Sequence, residues 1–275
     1  MSPEVGVLDE SAVDDLVRDD LDDAMALLAD LAGATDQRLR RLAGDLAARI
    51  AVDVARVGAT SRRAVGRPVR ASAAVTEGEL DLDASLEAIH SSHAAGGAPD
   101  PDQLVVSSWE RPDTEVCLLV DRSGSMLGDR LATAAVAAAA VVLRSPSSSV
   151  VAFADRPIVL SSPSDPRTAA SVVNDLLTLR GFGVTDVAAA LRAAQELLSR
   201  TTATRRMTLL LSDARATAGS DPAVWAATVD ELVVLAPADD AADAEALAAS
   251  AAARCVHLSG PSTVVDALTE AITPS

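Results

Sequence analysis

The sequence predicts an α/β protein in which a doubly wound, mostly parallel β-sheet follows an α-helical N-terminal region. From about residue 115 on, short apolar runs rich in Val and Leu alternate with longer stretches of helical periodicity. Continuous apolar strands that are separated by helices are typical of a parallel sheet covered on both faces. The earlier part of the chain shows mainly helical periodicity. We therefore predict two domains, an α-helical region with a connector over 1–112 and an α/β domain over 113–275.

Two helices are predicted between Ser11 and Val57, because apolar side chains recur there every three or four residues. Gly33 interrupts the pattern and separates the two helices. Ser11 is expected to cap the first helix, in a capping box with Asp14, and Thr35 is expected to cap the second. Acidic residues dominate the first helix and arginines the second, which we interpret as two helix faces that neutralise each other.

A connector is predicted after these helices. Residues 71–78 are polar, 79–87 are compatible with the start of another short helix, and 91–102 have the composition of a loop. We place the boundary between the two predicted domains in the stretch that ends at Pro112.

The α/β domain contains six predicted strands and six predicted helices. The strands are expected at 116–120, 149–153, 158–160, 207–211, 233–235 and 255–258. The helices are expected at 129–143, 167–179, 186–199, 222–232, 240–253 and 263–272. Sites in such folds lie at the carboxyl ends of the strands, near the point where the strand order reverses. Polar residues that follow the strands are therefore the first candidates for a functional site.

The composition excludes several classes of function. The chain of 275 residues has 23 basic and 40 acidic side chains, a formal net charge of −17 and an isoelectric point near 4.4. Lysine is absent, which excludes a Schiff-base enzyme and a phosphate-binding lysine of the Walker A or kinase type. The acidic net charge argues against nucleic acid as a partner, because affinity for phosphates depends on an excess of Lys and Arg.

The sequence also predicts a cytoplasmic protein that is not inserted in a membrane. The first ten residues are acidic and lack the apolar region of a secretion signal. The longest apolar run, 131–143, is shorter than the roughly 20 residues that span a bilayer. Cys117 and Cys255 lie in apolar, strand-like segments, where we expect free thiols and not a disulfide.

Oxygen-bearing side chains occur in three loops at the predicted carboxyl edge of the sheet. The first strand ends in Asp121-Arg-Ser123-Gly-Ser125, a later loop contains Thr185, and another strand is followed by Asp213. Carboxylate and hydroxyl oxygens suit Mg²⁺ or Mn²⁺ and suit zinc poorly. We therefore predict a metal site formed by Asp121, Ser123, Ser125, Thr185 and Asp213.

Each of these residues also has an ordinary structural explanation. Asp121 could cap the turn that follows it, and the two serines could bond to loop amides. Thr185 and Asp186 could form the N-cap of the next helix, and Asp213 could be an aspartate at a strand end without a further role. The presence of a suitable oxygen-bearing residue at all five positions favours the metal site over these separate explanations.

The motif Asp121-x-Ser123-x-Ser125, together with Thr185 and Asp213, resembles the complete metal-ion-dependent adhesion site of von Willebrand factor A (VWA) domains. The resemblance extends over about residues 113–275. It implies that the three hydroxyls bind the ion and that the two carboxylates bind it directly or through water. It also implies one open coordination position that takes a carboxylate from a partner protein, so that the metal connects two proteins and is not a catalyst.

Segments around the motif resemble bacterial CoxE-like VWA proteins, which work beside MoxR-type AAA+ ATPases. The similar parts are the N-terminal helical region, Gly78-Glu-Leu-Asp-Leu-Asp-Ala-Ser-Leu86, Trp109-x-x-Pro112 and Asp121-x-Ser-Gly-Ser-Met126. The resemblance implies an adaptor, not an enzyme, whose partner is an AAA+ ATPase or its client in metallo-enzyme maturation or complex remodelling. A chelatase-like subunit is an alternative. The chelatase D subunit has an AAA+-like N-terminal half and an acidic, proline-rich linker that this sequence lacks, which disfavours that identity.

Enzyme motifs fit these loops less well. Neither Ser123 nor Ser125 has the two flanking glycines of a nucleophile elbow. A phosphatase of the haloacid dehalogenase type would have a second aspartate at position 123, and Gly181-x-Gly183 lacks the third glycine of a dinucleotide-binding loop. A metal-dependent hydrolase or phosphatase that uses the same cation is the enzymatic alternative. Binding by the helical half, with an inactive metal site, is a third hypothesis.

Overall fold

The structure is a computed structural model, and it describes residues 8–34, 37–61, 67–72, 79–94, 97–110, 114–126, 128–145, 147–179 and 183–273. The described residues of Met1–Arg62 and Thr114–Ser275 form one compact unit, and those of Arg63–Asp113 form a second. This grouping differs from the predicted division into 1–112 and 113–275. The reason is that the N-terminal helices pack on helices of the α/β part.

The N-terminal part of the larger unit consists of three helices: α1 (Glu10–Asp19), α2 (Leu21–Ala32) and α3 (Gln37–Ser61). Asp9 caps α1 and Asp20 caps α2, and each accepts hydrogen bonds from two backbone N–H groups of the first turn. The prediction of one helix capped by Ser11 is therefore wrong, because Asp20 has extended backbone angles and begins a new helix there. The cap predicted at Thr35 lies outside the described residues.

The smaller unit is built from β1 (Arg67–Ser72), β2 (Glu79–Leu80), α4 (Leu82–Ala94), a 3₁₀ turn (Pro101–Gln103) and β3 (Val105–Glu110). β3 pairs antiparallel with both β1 and β2. The buried Ser85 hydroxyl donates to the carbonyl of Val105 at 3.2 Å and accepts from its N–H at 2.9 Å, which fixes α4 to β3. The sequence indicated a connector here and missed the strands, because these segments are short and partly polar.

The sheet of the larger unit has six strands: β4 (Thr114–Asp121), β5 (Ser149–Phe153), β6 (Pro157–Ser161), β7 (Arg205–Leu211), β8 (Leu232–Pro237) and β9 (Arg254–Leu258). Their order is β6-β5-β4-β7-β8-β9, and all neighbours are parallel except β5 and β6. The predicted doubly wound, mostly parallel sheet is confirmed. The strand order reverses at β4, because β5 lies on one side of it and β7 on the other. The adjoining carboxyl ends of β4 and β7 are therefore where a site is expected.

Helices cover both faces of this sheet: α5 (Asp129–Arg144), α6 (Ala169–Thr178), α7 (Val187–Leu198), α8 (Pro222–Ala226), α9 (Ala242–Ser250) and α10 (Val264–Ile272). Leu118 of β4 belongs to the core with α5, α6 and α10, while Leu119 belongs to the core with α7, α8 and α9. The helix predicted over 222–232 is too long, since α8 ends at Ala226. There the Thr228 hydroxyl binds the carbonyl of Trp225 and competes with further helical hydrogen bonds. Among the helices of the described ranges, none is both long and apolar enough to cross a membrane.

Helix α5 is buried almost all round, and the N-terminal helices are part of the reason. It packs against α2, α3, α6 and α10, and its alanine-rich sequence lets these neighbours approach closely. Met25 and Leu28 of α2 are 0% exposed and share a core with Leu118 of β4. Helices α2 and α3 therefore form an outer layer on α5 and α6.

The predicted pairing of acidic and basic helix faces has one clear example in the structure. Arg49 of α3 lies 3.8 Å from Glu10 and 3.5 Å from Asp14 of α1. All three side chains are more than half exposed, so each pair contributes at most about 1 kcal/mol. The apolar packing of α2 and α3, and not these ion pairs, holds the outer layer.

The two cysteines are free, as predicted. Cys117 is fully buried in β4, and burial raises the pKa of its thiol to about 12. Cys255 of β9 is partly buried, and desolvation also raises the pKa of its thiol. Neither thiol is in the reactive, thiolate form at neutral pH.

Helix α9 ends in a Schellman motif, which generates a stability prediction. The N–H of Ala253 donates to the carbonyl of Ala248 at 2.8 Å, and Ala252 is exposed with a left-handed φ of 50°. Replacing Ala252 with Gly is expected to raise the free energy of unfolding by about 1 kcal/mol, because glycine adopts this backbone without the Cβ clash. Urea denaturation measures the effect. The matched control Ala246→Gly, exposed in the middle of α9, should lower the stability by about 1 kcal/mol. Equal losses in both variants would contradict the prediction.

Candidate metal centre

Asp121, the last residue of β4, is fully buried and has both carboxylate oxygens occupied. Oδ1 accepts the N–H of Ser123 at 2.7 Å, and Oδ2 accepts the hydroxyl of Ser212 at 2.6 Å. Burial raises the pKa of Asp121 and is the largest influence on it, while these hydrogen bonds lower it and the charge of Asp213 raises it. Asp121 is therefore a desolvated carboxylate whose ionised form a nearby cation would stabilise.

Three further predicted ligands form a connected set of oxygens. Ser123 Oγ lies 3.0 Å from Ser125 Oγ, and the Ser125 hydroxyl donates to Asp213 Oδ2 at 3.0 Å. Neighbouring ligands of an octahedral Mg²⁺, each about 2.1 Å from the ion, are about 3.0 Å apart. Asp213 and Ser123 are buried while Ser125 is exposed, so the set opens to solvent at Ser125.

The chemistry of this donor set fits a hard cation. All the donors are oxygens, and two of them are hydroxyls, as Mg²⁺ or Mn²⁺ prefers. Within the ranges that the structure describes, no group of three or more His, Cys, Asp or Glu side chains could hold a metal ion. The serine hydroxyls are therefore essential to any metal site at this edge.

The loop after β7 brings Asp213 to the site by a sharp turn. The N–H of Ala214 donates to Ser212 Oγ at 2.8 Å, and the N–H of Arg215 donates to Asp213 Oδ1 at 3.0 Å. Ala214 has a left-handed φ of 58°, which costs an alanine roughly 1–2 kcal/mol. Strain of this kind is typical of a functional loop that the surrounding structure holds in place.

Thr185 lies against the same loop but is not bonded to the other four residues. Its N–H donates to Thr217 Oγ1 at 2.8 Å, and its carbonyl accepts the N–H groups of Thr217 and Ala218 at 3.0 and 3.2 Å. Among the described residues, no hydrogen bond joins its hydroxyl to another predicted ligand. Asp186 caps α7 by accepting the N–H of Ala189 at 2.8 Å, as the structural alternative proposed. Gly181 and Phe182 lie outside the described residues.

Arg130, near the start of α5, is a cation beside the site that the sequence analysis missed. Its Nη1 lies 3.8 Å from Asp213 Oδ2, and its Nη2 lies 3.0 Å from Asp239 Oδ2 and 3.6 Å from Asp240 Oδ2. The hydrogen bond from Arg130 holds the pKa of Asp239 below its usual value. Ser212 was also missed as a contact of Asp121, although its position next to Asp213 at a strand end was a local signal. Arg130 gave no such signal, because its contacts are distant in sequence.

A cavity of about 830 Å³ adjoins the site on the side of Ser125. Its apolar lining includes Met126, Leu235 and Leu258, and Asp30 of α2 also lines it. The site is therefore open to a partner group larger than water.

The sheet, its helices and the loops at its carboxyl edge together have the fold of a VWA domain. Residues 116–215 match the family model of the von Willebrand factor type A domain. The matched range contains all five predicted metal ligands.

Several solved structures are similar to this chain. An aerotolerance-related membrane protein from Bacteroides fragilis is 16% identical, over 58% of this chain and 98% of that one, with a TM-score of 0.47. BatB from Bacteroides thetaiotaomicron is also 16% identical, over 58% of this chain and 97% of that one, with a TM-score of 0.44. A von Willebrand factor type A structure from Catenulispora acidiphila is 15% identical, over 60% of this chain and 43% of that one, with a TM-score of 0.46. No curated protein sequence matches the chain.

The raised pKa of Asp121 predicts a stability change in the metal-free protein. The folded-state pKa lies above the ordinary value of 3.8, so the wild type loses stability as the pH rises from 3.8 through the folded-state pKa. Asp121→Asn removes this loss and can keep the hydrogen bonds to Ser123 and Ser212. At neutral pH, without metal, the variant should have the higher Tm, and the difference should disappear below pH 3.8.

Thermal unfolding followed by circular dichroism over a pH series measures this effect. Asp155→Asn is the control, because Asp155 is exposed, and its replacement should change the stability by no more than about 0.5 kcal/mol. A lower Tm of Asp121→Asn at neutral pH would show that the hydrogen bonds of the carboxylate outweigh its desolvation.

Proposed function

We propose that this chain is a metal-dependent protein-binding adaptor and not an enzyme. In this proposal Asp121, Ser123, Ser125, Thr185 and Asp213 hold Mg²⁺ or Mn²⁺. When bound, the cation would supply Lewis-acid attraction for a carboxylate of the partner protein. The proposed partner is a MoxR-type AAA+ ATPase or its client, as the resemblance to CoxE-like proteins implies.

The observation that carries the proposal is the spacing of three oxygens at one edge of the sheet. Ser123 Oγ lies 3.0 Å from Ser125 Oγ, and Ser125 Oγ lies 3.0 Å from Asp213 Oδ2. Neighbouring ligands of a small hard cation have the same spacing. Asp121 lies behind them and positions the backbone of Ser123. Hydroxyl-rich ligand sets leave the ion with much of its positive charge, and such an ion attracts an additional anionic ligand.

The protonation chemistry of the site supports an adaptor over a hydrolase. A general base must reach a proton of the substrate or of a water molecule. Asp121 is the carboxyl with the raised pKa, but it is fully buried and both of its oxygens are already hydrogen-bonded. It is thus suited to hold the loop and not to act on a substrate.

The shape around Ser125 also supports a protein partner. The cavity beside Ser125 extends to α2 and has an apolar lining with acidic residues. A partner segment that reaches the site with a carboxylate would have room there for its neighbouring side chains. Arg130, which is 19% exposed, lies on the same side and would reduce the repulsion between an acidic segment and this acidic chain.

Metal binding is the first test. Isothermal titration calorimetry with Mn²⁺ and with Mg²⁺ should show one binding site in the wild type. Asp213→Ala and Ser125→Ala each remove a direct ligand and should weaken binding by more than about tenfold, the lower end of the loss seen for outer-shell partners. Ser164→Ala is the control, because Ser164 follows the antiparallel strand β6 and so lies at the opposite edge of the sheet. Equal affinities in wild type, Asp213→Ala and Ser125→Ala would refute the site.

Partner binding is the second test. The chain should bind the MoxR-type ATPase of the same organism in the presence of Mg²⁺. Its affinity should fall at least about tenfold in EDTA or in the variant Asp213→Ala, because the partner's carboxylate then loses the cation that it binds. Biolayer interferometry measures this, with Ser164→Ala as the control. Binding that ignores EDTA would favour the helical half as the binding surface. Mg²⁺-dependent hydrolysis of p-nitrophenyl phosphate that Asp213→Ala abolishes would instead favour the enzyme.

A further inference from the structure

Arg122 is a buried arginine within the motif itself, between Asp121 and Ser123. It is 6% exposed, and the groups that its guanidinium binds among the described residues are backbone carbonyls. Its Nη1 donates to the carbonyl of Met126 at 3.4 Å, and its Nη2 donates to the carbonyl of Leu179. Its Nε is buried without a hydrogen-bond partner.

Burial of such an arginine lowers the stability of the folded state. Removing a guanidinium from water costs free energy that an ion pair or a full set of hydrogen bonds would offset, and Arg122 has an incomplete set. Burial also lowers the pKa of Arg122 to about 10, against the opposing influence of Asp121. An apolar side chain of similar length would fill the same volume without this cost. The stability of the fold therefore does not explain an arginine at this position.

The two carbonyls that Arg122 binds belong to two different elements of the fold. Met126 ends residues 122–126, here called the serine loop, which carries Ser123 and Ser125. Leu179 is the C-cap of α6. One side chain thus connects the serine loop to the C-terminal end of α6.

We propose that Arg122 is a positioning residue of the metal centre, whose guanidinium holds the serine loop, with its two proposed hydroxyl ligands, against the C-terminal end of α6. This inference rests on the proposed metal site. It concerns geometry and not charge, because a positive charge beside a cation site would by itself weaken cation binding. Positioning of the serine loop by Arg122 should therefore raise the affinity for the cation, whereas the positive charge of Arg122 should lower it.

The experiment compares the wild type with Arg122→Met and Arg122→Lys, using Mn²⁺ affinity from electron paramagnetic resonance and the Tm without metal. Arg122→Met should keep or raise the metal-free Tm, since it removes a buried charge whose hydrogen bonds are incomplete, and it should bind Mn²⁺ at least about tenfold more weakly. Arg122→Lys keeps the charge but lacks the fork that reaches two carbonyls, so it should also bind more weakly. Arg156→Met, an exposed arginine after β5, is the control and should change neither quantity.

The outcomes separate the possible roles. Affinity that is unchanged or higher in Arg122→Met overturns the proposal and shows that Arg122 acts only as a charge or as core filling. If Arg122→Met does not fold, Arg122→Lys decides in the same way. A wild type that does not bind Mn²⁺ contradicts the metal site itself, which is a different failure from equal binding by wild type and variant.

Discussion

Seven residue pairs join β4 and β7 in a parallel ladder, from Thr114–Arg205 to Val120–Leu211, and the site depends on this ladder. The two strands end together where the strand order reverses, so that Ser212 reaches Asp121 at 2.6 Å. Both faces of β4 are buried, with Leu118 in one core and Leu119 in the other. A register shift by one residue would exchange the two faces and separate the two carboxylate-bearing loops. The apolar core thereby fixes the positions of the polar side chains at the strand ends.

The distribution of charge around these strand ends would allow this acidic chain to receive the anionic partner that we propose. The net charge of −17 repels acidic proteins at long range, but salt screens that repulsion beyond about 8–10 Å. Near the site, Asp213 has Arg130 at 3.8 Å, and Arg215 donates its backbone N–H to the same carboxylate. Asp121 is shielded from solvent altogether. The local field at Ser125 is therefore less negative than the composition of the chain suggests.

The sequence was sufficient to predict the sheet and to name side chains that meet at its carboxyl edge, and insufficient for what depends on long-range packing. Continuous apolar strands and the rule that sites lie at strand ends were enough to place Asp121 and Asp213 at one edge. Periodicity shows which face of a helix is apolar, but not what covers it, so the packing of α2 and α3 on α5 was not predicted. For the same reason Arg130 was missed. The cap of α1 was assigned to Ser11 and not to Asp9, because several polar residues there can accept the same hydrogen bonds.

The outer helical layer changes the relation between two of the functional hypotheses. Met25 and Leu28 anchor α2 in the core of the α/β part, and Asp30 of the same helix lines the cavity beside Ser125. A partner that reached the metal ligands through this cavity would therefore contact α2 as well. For such a partner, the two proposed modes of binding, by the helical region and by the predicted metal ligands, would be contributions to one surface and not alternatives. Because the helices and the strand-end loops share one core, separating them would expose apolar surface on both, so the two contributions are best resolved by point variants in the full chain.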